Sequence, residues 1–240
     1  MQTIIMAGGK GTRLQPVIHT TPKLLALINK IPLLDYIINH LKKNGCTNII
    51  ICTGYLSEKI QNHISQRNYG IKIRLSKENS SLGTAGSLNL IKDFLEDEFF
   101  ILYGDVFTTI SLSKMLKFHR QKKADATLAL HISDHPQDST IVKIDKNKKI
   151  INLVEKPGET WGRYGNLTTT PLYILKKNVI EFILENKEID FAKDVFPQMI
   201  KKNKKLFGYI TKEYSKDIGT PERYQKVQKY IKSHQKDFLL

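Results

Sequence analysis

The segment Thr3-Ile4-Ile5-Met6-Ala7-Gly8-Gly9-Lys10-Gly11-Thr12-Arg13 decides how the first part of the chain folds. Its opening residues, up to Ala7, are apolar or β-branched and predict a short buried strand. The three glycines that follow predict a tight turn whose backbone amides can approach a phosphate closely, and Lys10 and Arg13 can supply positive charge beside it. The segment therefore predicts a strand that leads into an anion-binding turn.

Two common nucleotide-binding loops do not match this turn. The Walker A pattern requires Ser or Thr directly after its lysine, whereas Gly11 follows Lys10. The dinucleotide-binding fingerprint requires a small residue three positions after Gly11, where Leu14 stands. The turn therefore belongs to neither pattern.

Outward from this turn, short apolar strands alternate with helical segments of about 10 to 14 residues as far as residue 132. The alternation predicts an α/β fold with right-handed crossovers and a doubly wound, mixed but mostly parallel sheet. Ligands of such sheets bind at the carboxyl ends of the strands, where both the glycine turn and Gly104-Asp105 are predicted to lie. The predicted strands are Thr3–Ala7, Asn48–Thr53, Ile71–Leu75 and Phe99–Tyr103, and the predicted helices are Ile31–Asn44, Ser57 to about Arg67 with Ser57 as its cap, and Thr84–Glu96.

From about residue 139 the pattern changes to a smaller region of short strands and turns. No repeat or low-complexity linker marks a break, so we predict a single domain, 1–240, with halves at about 1–135 and 136–240. The predicted elements are strands at Thr140–Asp145, Ile150–Val154, Pro171–Leu175 and Leu206–Thr211, and helices from Leu175 to about Asn186, at Asp194–Lys202 and at Pro221–Ser233.

Composition restricts the class of protein. With 240 residues, 40% of them hydrophobic, the chain can bury a sizeable core, and no apolar run is long enough for a membrane helix. We expect a soluble, unprocessed, cytoplasmic protein without a membrane partner. Two cysteines are too few for a disulfide framework. The net charge of +15 attracts polyanions, but the lysine runs lack interleaved aromatic residues, so we interpret them as solvated surface and expect no nucleic-acid partner.

When the first segment is extended through Leu14 to Pro22-Lys23, it resembles the signature of the sugar-1-phosphate nucleotidyltransferases. That signature is a strand, Gly-Gly-x-Gly-Thr-Arg-Leu, a short spacer and Pro-Lys. The resemblance implies a Rossmann-like fold of the nucleotide-diphospho-sugar transferase type, with a nucleotide-binding first half and a smaller sugar-binding β region. Further segments resemble the family's in the same order along the chain: its base-binding loop at Leu82–Gly86, then Gly104-Asp105, Val154–Pro157 and Asp217–Pro221.

The resemblance also implies the site residues. Arg13, Lys23 and Asp105 would be catalytic, and Asp105 and Asp217 would hold Mg²⁺. The sugar phosphate would be bound by Glu155, Lys156 and Thr169. The nucleotide would be bound by Ala7, Gly8, Gly9, Gly11, Thr12, Arg13, Gly83 and Thr84, together with Glu78.

Two of these assignments are less direct. Glu78 can accept hydrogen bonds from N1 and N2 of guanine, or it can be an exposed residue before a Ser-rich turn. At Thr169-Thr170-Pro171 the family usually has Asn-Ala-Gly, whose Asn and Gly contact the sugar. The Thr169 hydroxyl can still hydrogen-bond a sugar, but Pro171 removes a backbone donor, so the acceptor stays open.

The reaction implied is in-line attack of a sugar 1-phosphate oxygen on the α-phosphorus of a nucleoside triphosphate, giving an NDP-sugar and pyrophosphate. The Pro22–Leu25 context and the Leu82–Gly86 loop most resemble the short guanylyltransferases for mannose 1-phosphate or D-glycero-alpha-D-manno-heptose 1-phosphate, which favours GTP. Such a product would feed glycan or lipopolysaccharide assembly, and we expect a monomer or homodimer. Uridylyl or thymidylyl transfer to glucose-type sugars, cytidylyl transfer to phosphocholine and a catalytically silent nucleotide-sugar-binding regulator are the alternatives.

Overall fold

Helices and strands alternate along the chain in the computed structural model, which describes residues 1–9 and 11–238. Lys10, to which the sequence assigns a charge beside the glycine turn, lies outside the described residues. The strands are β1 (Gln2–Ala7), β2 (Leu27–Ile28), β3 (Ile31–Pro32), β4 (Asn48–Thr53), β5 (Lys72–Lys77), β6 (Glu98–Tyr103), β7 (Val106–Thr108), β8 (Ala126–Ile132), β9 (Thr140–Ile144), β10 (Ile150–Glu155), β11 (Leu167–Lys176), β12 (Leu206–Ile210) and β13 (Ser215–Asp217). The α-helices are α1 (Gln15–Ile18), α2 (Leu33–Lys43), α3 (Ser57–Ser65), α4 (Gly83–Gly86), α5 (Leu112–Gln121), α6 (Phe196–Lys201) and α7 (Pro221–Ser233).

The chain forms two compact units. The first comprises Met1–Ser81, Leu102–Ile110 and Glu213–Leu240, and the second comprises Leu82–Ile101 and Ser111–Lys212. The predicted division into halves at about residue 135 stays a prediction. Among the helices of residues 1–9 and 11–238, none combines the length and the apolar composition that crossing a membrane requires.

The first unit is built on a parallel sheet in which β4 lies between β1 and β5. The register runs from Gln2 beside Asn48 to Ala7 beside Thr53, so β1 and β4 end together. The interiors of β1 and β4 are isoleucine-rich and buried, as expected for parallel strands covered on both faces, whereas β5 is only partly buried. At the end of β6, the N–H of Gly104 donates to the Met6 carbonyl at 2.9 Å. The carboxyl ends of these strands therefore lie at one edge of the sheet, which is where the sequence predicts the ligand.

The second unit has a mixed sheet centred on β8. This strand pairs antiparallel with β11 and parallel with β12, while β9 and β10 form an antiparallel hairpin. Tyr173 of β11 packs against Phe191 and Phe196, with ring centroids 5.2 to 5.7 Å apart. The parallel strands of the first unit and the mixed sheet of the second confirm the predicted α/β class.

Several predicted elements differ from the structure at their ends. Ser57 is not the cap of α3, because Leu56 with φ of 58° is the cap residue and the Ser57 hydroxyl hydrogen-bonds Thr53 Oγ1 at 2.8 Å. The helix predicted to continue to Asn186 ends at Phe182, because Ile183 is extended and Asn186 has a left-handed φ of 56°.

Two further predictions were wrong about local geometry. Of the helix predicted over Thr84–Glu96, only α4 is α-helical, and Ser87–Phe94 is a 3₁₀ helix. The tighter turn aligns residues three apart, which buries Leu88 and Ile91 together. Pro171, predicted to begin a strand, lies inside β11, where the register with β8 shifts because proline has no N–H to donate.

A buried histidine in the second unit gives a prediction about stability. His119 Nδ1 lies 2.8 Å from Thr127 Oγ1, and Nε2 has no hydrogen-bond partner among the described residues. Burial lowers the pKa of His119 from 6.5 to about 4, although Glu98 opposes the shift. The unfolded chain binds this proton more readily than the folded chain. The contribution of His119 to the free energy of unfolding is therefore fully present above pH 6.5 and is lost as the pH falls from 6.5 toward 4.

We therefore expect His119 to contribute a loss of about 1 kcal/mol in the free energy of unfolding between pH 7.5 and pH 5.5. Urea unfolding at both pH values measures it. His119→Gln should lose less stability than the parent over this range, since its side chain does not titrate. An equal loss in the two proteins would contradict the assignment.

Candidate active site

The glycine turn at the end of β1 has the geometry that its sequence predicts. Gly11 has φ of +67°, a left-handed conformation that favours glycine, and its carbonyl accepts the N–H of Leu14 at 3.0 Å. The Thr12–Leu14 turn begins directly after it and leaves Arg13 exposed. No atom from the rest of the described chain, Gly8 apart, lies within 4 Å of a Cβ built on Gly9, so the backbone there is accessible to a ligand from the described side.

Lys23 and Asp105 form an ion pair next to this turn. Lys23 Nζ lies 2.7 Å from Asp105 Oδ2, and the two side chains are 18% and 25% exposed. A Cβ built on Gly11 would lie 2.9 Å from Lys23 Cγ, so the absence of a side chain at Gly11 makes room for the lysine stem. At Gly104 a Cβ would lie 3.1 Å from Leu24 Cδ1, a contact that sets Asp105 close to the Lys23 segment.

Asp217, at the end of β13, is paired with Arg223 of α7. Arg223 Nη1 lies 3.2 Å from Asp217 Oδ1 and 3.1 Å from Oδ2, and Oδ1 also accepts the Gly219 N–H at 2.9 Å. Thr220 caps α7, because its hydroxyl accepts the Arg223 N–H at 3.3 Å. This cap fixes the first turn of α7 and with it the start of the Arg223 side chain.

The backbone places the two aspartates side by side. Asp217 pairs with Val106 in the β13–β7 ladder, and the Ile218 N–H donates to the Asp105 carbonyl at 2.8 Å. A Cβ built on Gly219 would lie 2.6 Å from Asp217 Oδ1 and 3.6 Å from Arg13 Nη2. The first unit thus brings together the positions predicted to bind phosphate and those predicted to bind metal.

The donor set fits magnesium. Mg²⁺ is commonly held by one or two carboxylates, with phosphate oxygens and waters completing its shell. Asp105 and Asp217 are partly exposed, and no group of three or more acidic, histidine or cysteine side chains suited to a metal occurs in residues 1–9 and 11–238. A two-carboxylate site that relies on a phosphorylated ligand is therefore the arrangement these residues can supply.

Glu78 lies against the glycine turn rather than out in solvent. Its carboxylate occupies the space that a Cβ on Gly8 would need, and a Cβ on Gly54 would lie 3.0 Å from its Oε1. The backbone fixes this position, because the Glu78 N–H donates to the Thr53 carbonyl at 2.8 Å. The half-buried position of Glu78 argues against an exposed residue before the Ser-rich turn, and its contact with guanine stays a prediction.

In the second unit, the predicted base-binding loop, Leu82–Gly86, packs closely against the backbone of Ile189. Gly83 has φ of +74°, and a Cβ there would lie 2.5 Å from the Ile189 carbonyl oxygen. The Ala85 N–H donates to the same carbonyl at 2.8 Å, and Thr84 Oγ1 donates to Asp190 at 2.7 Å. The small residues of this loop are needed for that close approach.

Two residues predicted to bind the sugar phosphate, Glu155 and Thr169, lie on one face of the strands of the second unit. Ile141 of β9 pairs with Val154 on one side and Thr168 on the other, so Glu155 and Thr169 both point to the opposite face. Lys156 Nζ lies 3.5 Å from Glu155 Oε1. The structure therefore pairs Lys156 with Glu155 and puts Thr169 on the same face as Glu155, while their binding of a sugar phosphate stays a prediction.

Three charged residues in these groups were missed by sequence reasoning. Arg223 pairs with Asp217, Lys193 Nζ lies 3.8 Å from Glu155 Oε2, and Asp190 accepts the Thr84 hydroxyl. Asp190 carried a local signal, since a polar residue before an apolar helical segment is a typical N-cap. Arg223 and Lys193 carried none, because each meets its partner only in the folded chain.

Comparison with known proteins agrees with this architecture. A sequence profile of the family described as nucleotidyl transferase matches residues 2–234. The D-glycero-alpha-D-manno-heptose 1-phosphate guanylyltransferase of Aneurinibacillus thermoaerophilus is 32% identical over 236 residues, which are 98% of this chain and 100% of that protein. The enzyme of the same name from Campylobacter jejuni subsp. jejuni is 36% identical over 226 residues, 93% of this chain and 97% of that one.

A solved structure extends the comparison to three dimensions. The crystal structure of HddC from Yersinia pseudotuberculosis complexed with GMP-PN superposes with a TM-score of 0.81 at 26% identity, covering 96% of this chain and 99% of that chain. The chain belongs to the nucleotidyl transferase family. The predicted enzyme class, a sugar-1-phosphate nucleotidyltransferase, and the predicted fold type are thereby confirmed.

Proposed function

We propose that this chain transfers GMP from GTP to mannose 1-phosphate or D-glycero-alpha-D-manno-heptose 1-phosphate and releases pyrophosphate. The observation that carries the choice of base is the position of Glu78 beside Gly8. A carboxylate only accepts hydrogen bonds, which suits the N1–H and N2–H donors of guanine. The relatives named as guanylyltransferases at 32% and 36% identity support the same choice.

Binding of the triphosphate is assigned to the first unit. The backbone at Ala7, Gly8, Gly9, Gly11 and Thr12 would hold the phosphates, with Arg13 as a planar donor to the departing pyrophosphate. Lys23 would neutralise charge at the α-phosphate. Because phosphoryl-type transfer depends mainly on positioning and charge neutralisation, these cations are the protein's main contribution to the rate.

A magnesium ion would be held by Asp105 and Asp217. When bound, it supplies charge neutralisation and a template for the phosphate oxygens. Lys23 and Arg223 are the cations now paired with the two aspartates, so they would have to share or release these carboxylates.

The acceptor is assigned to the second unit. Glu155 would accept hydrogen bonds from sugar hydroxyls, Lys156 would contact the acceptor phosphate, and Thr169 would offer a hydroxyl in place of the family's asparagine. Gly83 and Thr84 would contact the base. The assigned residues, the monomer or homodimer and the cytoplasmic location all stay predictions.

Pyrophosphate release with Mg²⁺ tests the proposal when GTP, UTP, dTTP, CTP and ATP are each combined with mannose, glucose, N-acetylglucosamine and heptose 1-phosphates. We expect turnover with GTP and with mannose or heptose 1-phosphate. Turnover with UTP or dTTP and glucose 1-phosphate would instead establish uridylyl or thymidylyl transfer. If a folded protein that binds GTP released no pyrophosphate with any pair of substrates, it would be a catalytically silent regulator.

The Glu78→Gln variant tests the choice of base. Replacing one acceptor oxygen by an amide leaves one guanine donor unpaired, so we expect kcat/KM for GTP to fall about tenfold to a hundredfold. Any residual activity with UTP should change less, because uracil does not present the paired N1–H and N2–H donors. Glu58→Gln is the control, since Glu58 is exposed on α3 and pairs only with Lys77 among the ion pairs of the described residues. An equal loss for GTP and UTP would contradict the role of Glu78.

A further inference from the structure

The side chain of Asp190, which is not among the predicted site residues, accepts three hydrogen bonds in the second unit. Its Oδ1 accepts the N–H groups of Ala192 at 2.8 Å and Lys193 at 3.2 Å, and its Oδ2 accepts the Thr84 hydroxyl at 2.7 Å. Its own N–H donates to Asp194 Oδ2 at 2.7 Å. Both carboxylate oxygens are therefore used, one within its own turn and one on a distant segment.

The turn that Asp190 caps is joined to the predicted base-binding loop by backbone groups as well. The Phe191 N–H donates to Thr84 Oγ1 at 3.0 Å, and the Ile189 N–H donates to the Leu82 carbonyl at 3.0 Å. Ala85 returns a bond to the Ile189 carbonyl. Segments 106 residues apart are thus held by reciprocal hydrogen bonds, with Asp190 at the centre.

The other end of the same turn reaches the predicted acceptor site. Phe191–Val195 is a π-helical turn, a rare geometry that is frequent at functional sites. It places Lys193 Nζ 3.8 Å from Glu155 Oε2, while Phe191 packs on Tyr173 in the strand that carries Thr169. One short turn therefore contacts both the loop assigned to the base and the carboxylate assigned to the sugar.

We propose that Asp190 is a positioning residue that holds the base loop and the acceptor carboxylate in one rigid arrangement. It acts through Thr84 on one side and through Lys193 on the other, and it does not touch the reacting atoms. The inference rests on the proposed function for its consequence in catalysis, since it assumes that Thr84 lies at the base and Glu155 at the sugar. The linkage itself depends only on the contacts given above.

Loss of Asp190 is expected to raise the KM of both substrates and to lower kcat. In Asp190→Ala the hydroxyl of Thr84 and two backbone amides lose their acceptor at once, and small displacements of binding groups are costly in transfer reactions. We expect KM to rise about threefold or more for both GTP and the sugar 1-phosphate, and kcat to fall about tenfold. Asp190→Asn keeps an acceptor oxygen for the two turn amides, and its amide NH2 can donate to Thr84 Oγ1, so this variant should recover part of the loss.

Asp125→Ala is the matched control. Asp125 is also a partly buried carboxylate of the second unit that accepts a backbone N–H, that of Lys205 at 2.8 Å, and it pairs with Lys176. We expect Asp125→Ala to lower thermal stability while leaving both KM values unchanged. If Asp190→Ala shows the same pattern as Asp125→Ala, Asp190 is merely structural and the proposal is overturned.

Amide hydrogen exchange on the full chain separates this inference from the proposed function. In Asp190→Ala we expect faster exchange both in Leu82–Gly86 and around Glu155, and not only in the turn itself. Exchange that accelerates in residues 190–195 alone would overturn the linkage. Absence of turnover in the parent protein with every substrate pair would instead refute the proposed function, and hydrogen exchange would then decide the linkage by itself.

Discussion

Replacing Asp105 by alanine is expected to lower the turnover of the folded protein at least about a hundredfold. Asp105 lies beside Asp217 in the first unit, and it is one of the two carboxylates proposed to hold a magnesium ion. Its loss would remove a proposed metal ligand and the carboxylate that Lys23 pairs with. Pyrophosphate release at saturating substrates measures the effect, and circular dichroism shows that the variant is folded.

The control for this experiment is Asp35→Ala in the same unit. Asp35 is also a paired carboxylate, 2.8 Å from His63 and 2.6 Å from the Tyr69 hydroxyl, but it lies outside the predicted site. We expect its turnover to stay within about threefold of the parent. Titration with Mn²⁺, followed by calorimetry in the presence of GTP, should show weaker metal binding in Asp105→Ala only. Near-normal turnover in Asp105→Ala would refute the metal assignment.

Replacing Lys23 by methionine is expected to lower turnover by about a hundredfold, which corresponds to a charge interaction of about 3 kcal/mol in the transition state. Methionine keeps the apolar stem that packs against Gly11 and removes only the ammonium group. Because the charge of Lys23 competes with a metal for Asp105, the variant should bind Mn²⁺ at least as tightly as the parent. The two readouts therefore move independently.

This pair of readouts distinguishes two roles of Lys23. If the lysine acted only by holding Asp105 in place, Lys23→Met would weaken both metal binding and turnover. Lys59→Met is the matched control, since Lys59 is an exposed lysine of the same unit that donates to the Thr20 carbonyl at 2.7 Å. We expect the control to keep both properties. Full activity in Lys23→Met would contradict a role of its charge in the reaction.

The sequence alone determined much of the first unit. Apolar runs and glycine turns predicted β1 and β4 to within one residue, and the helix predicted at Pro221–Ser233 matches α7 at both ends. These features depend on burial pattern, backbone conformation and caps, all of which a few neighbouring residues encode. The family resemblance rested on equally local motifs, and the family and the enzyme class are confirmed.

Only the tertiary structure decided which charged groups meet. The pairing of Asp217 with Arg223 requires the turn between β13 and α7, and the bonds of Asp190 to Thr84 join residues 106 apart. The 3₁₀ geometry of Ser87–Phe94 and the position of Pro171 inside β11 likewise overrode local propensity. The physical reason is that strand register and packing fix the distances between side chains far apart in the sequence, whereas local patterns specify only each segment's own conformation and burial.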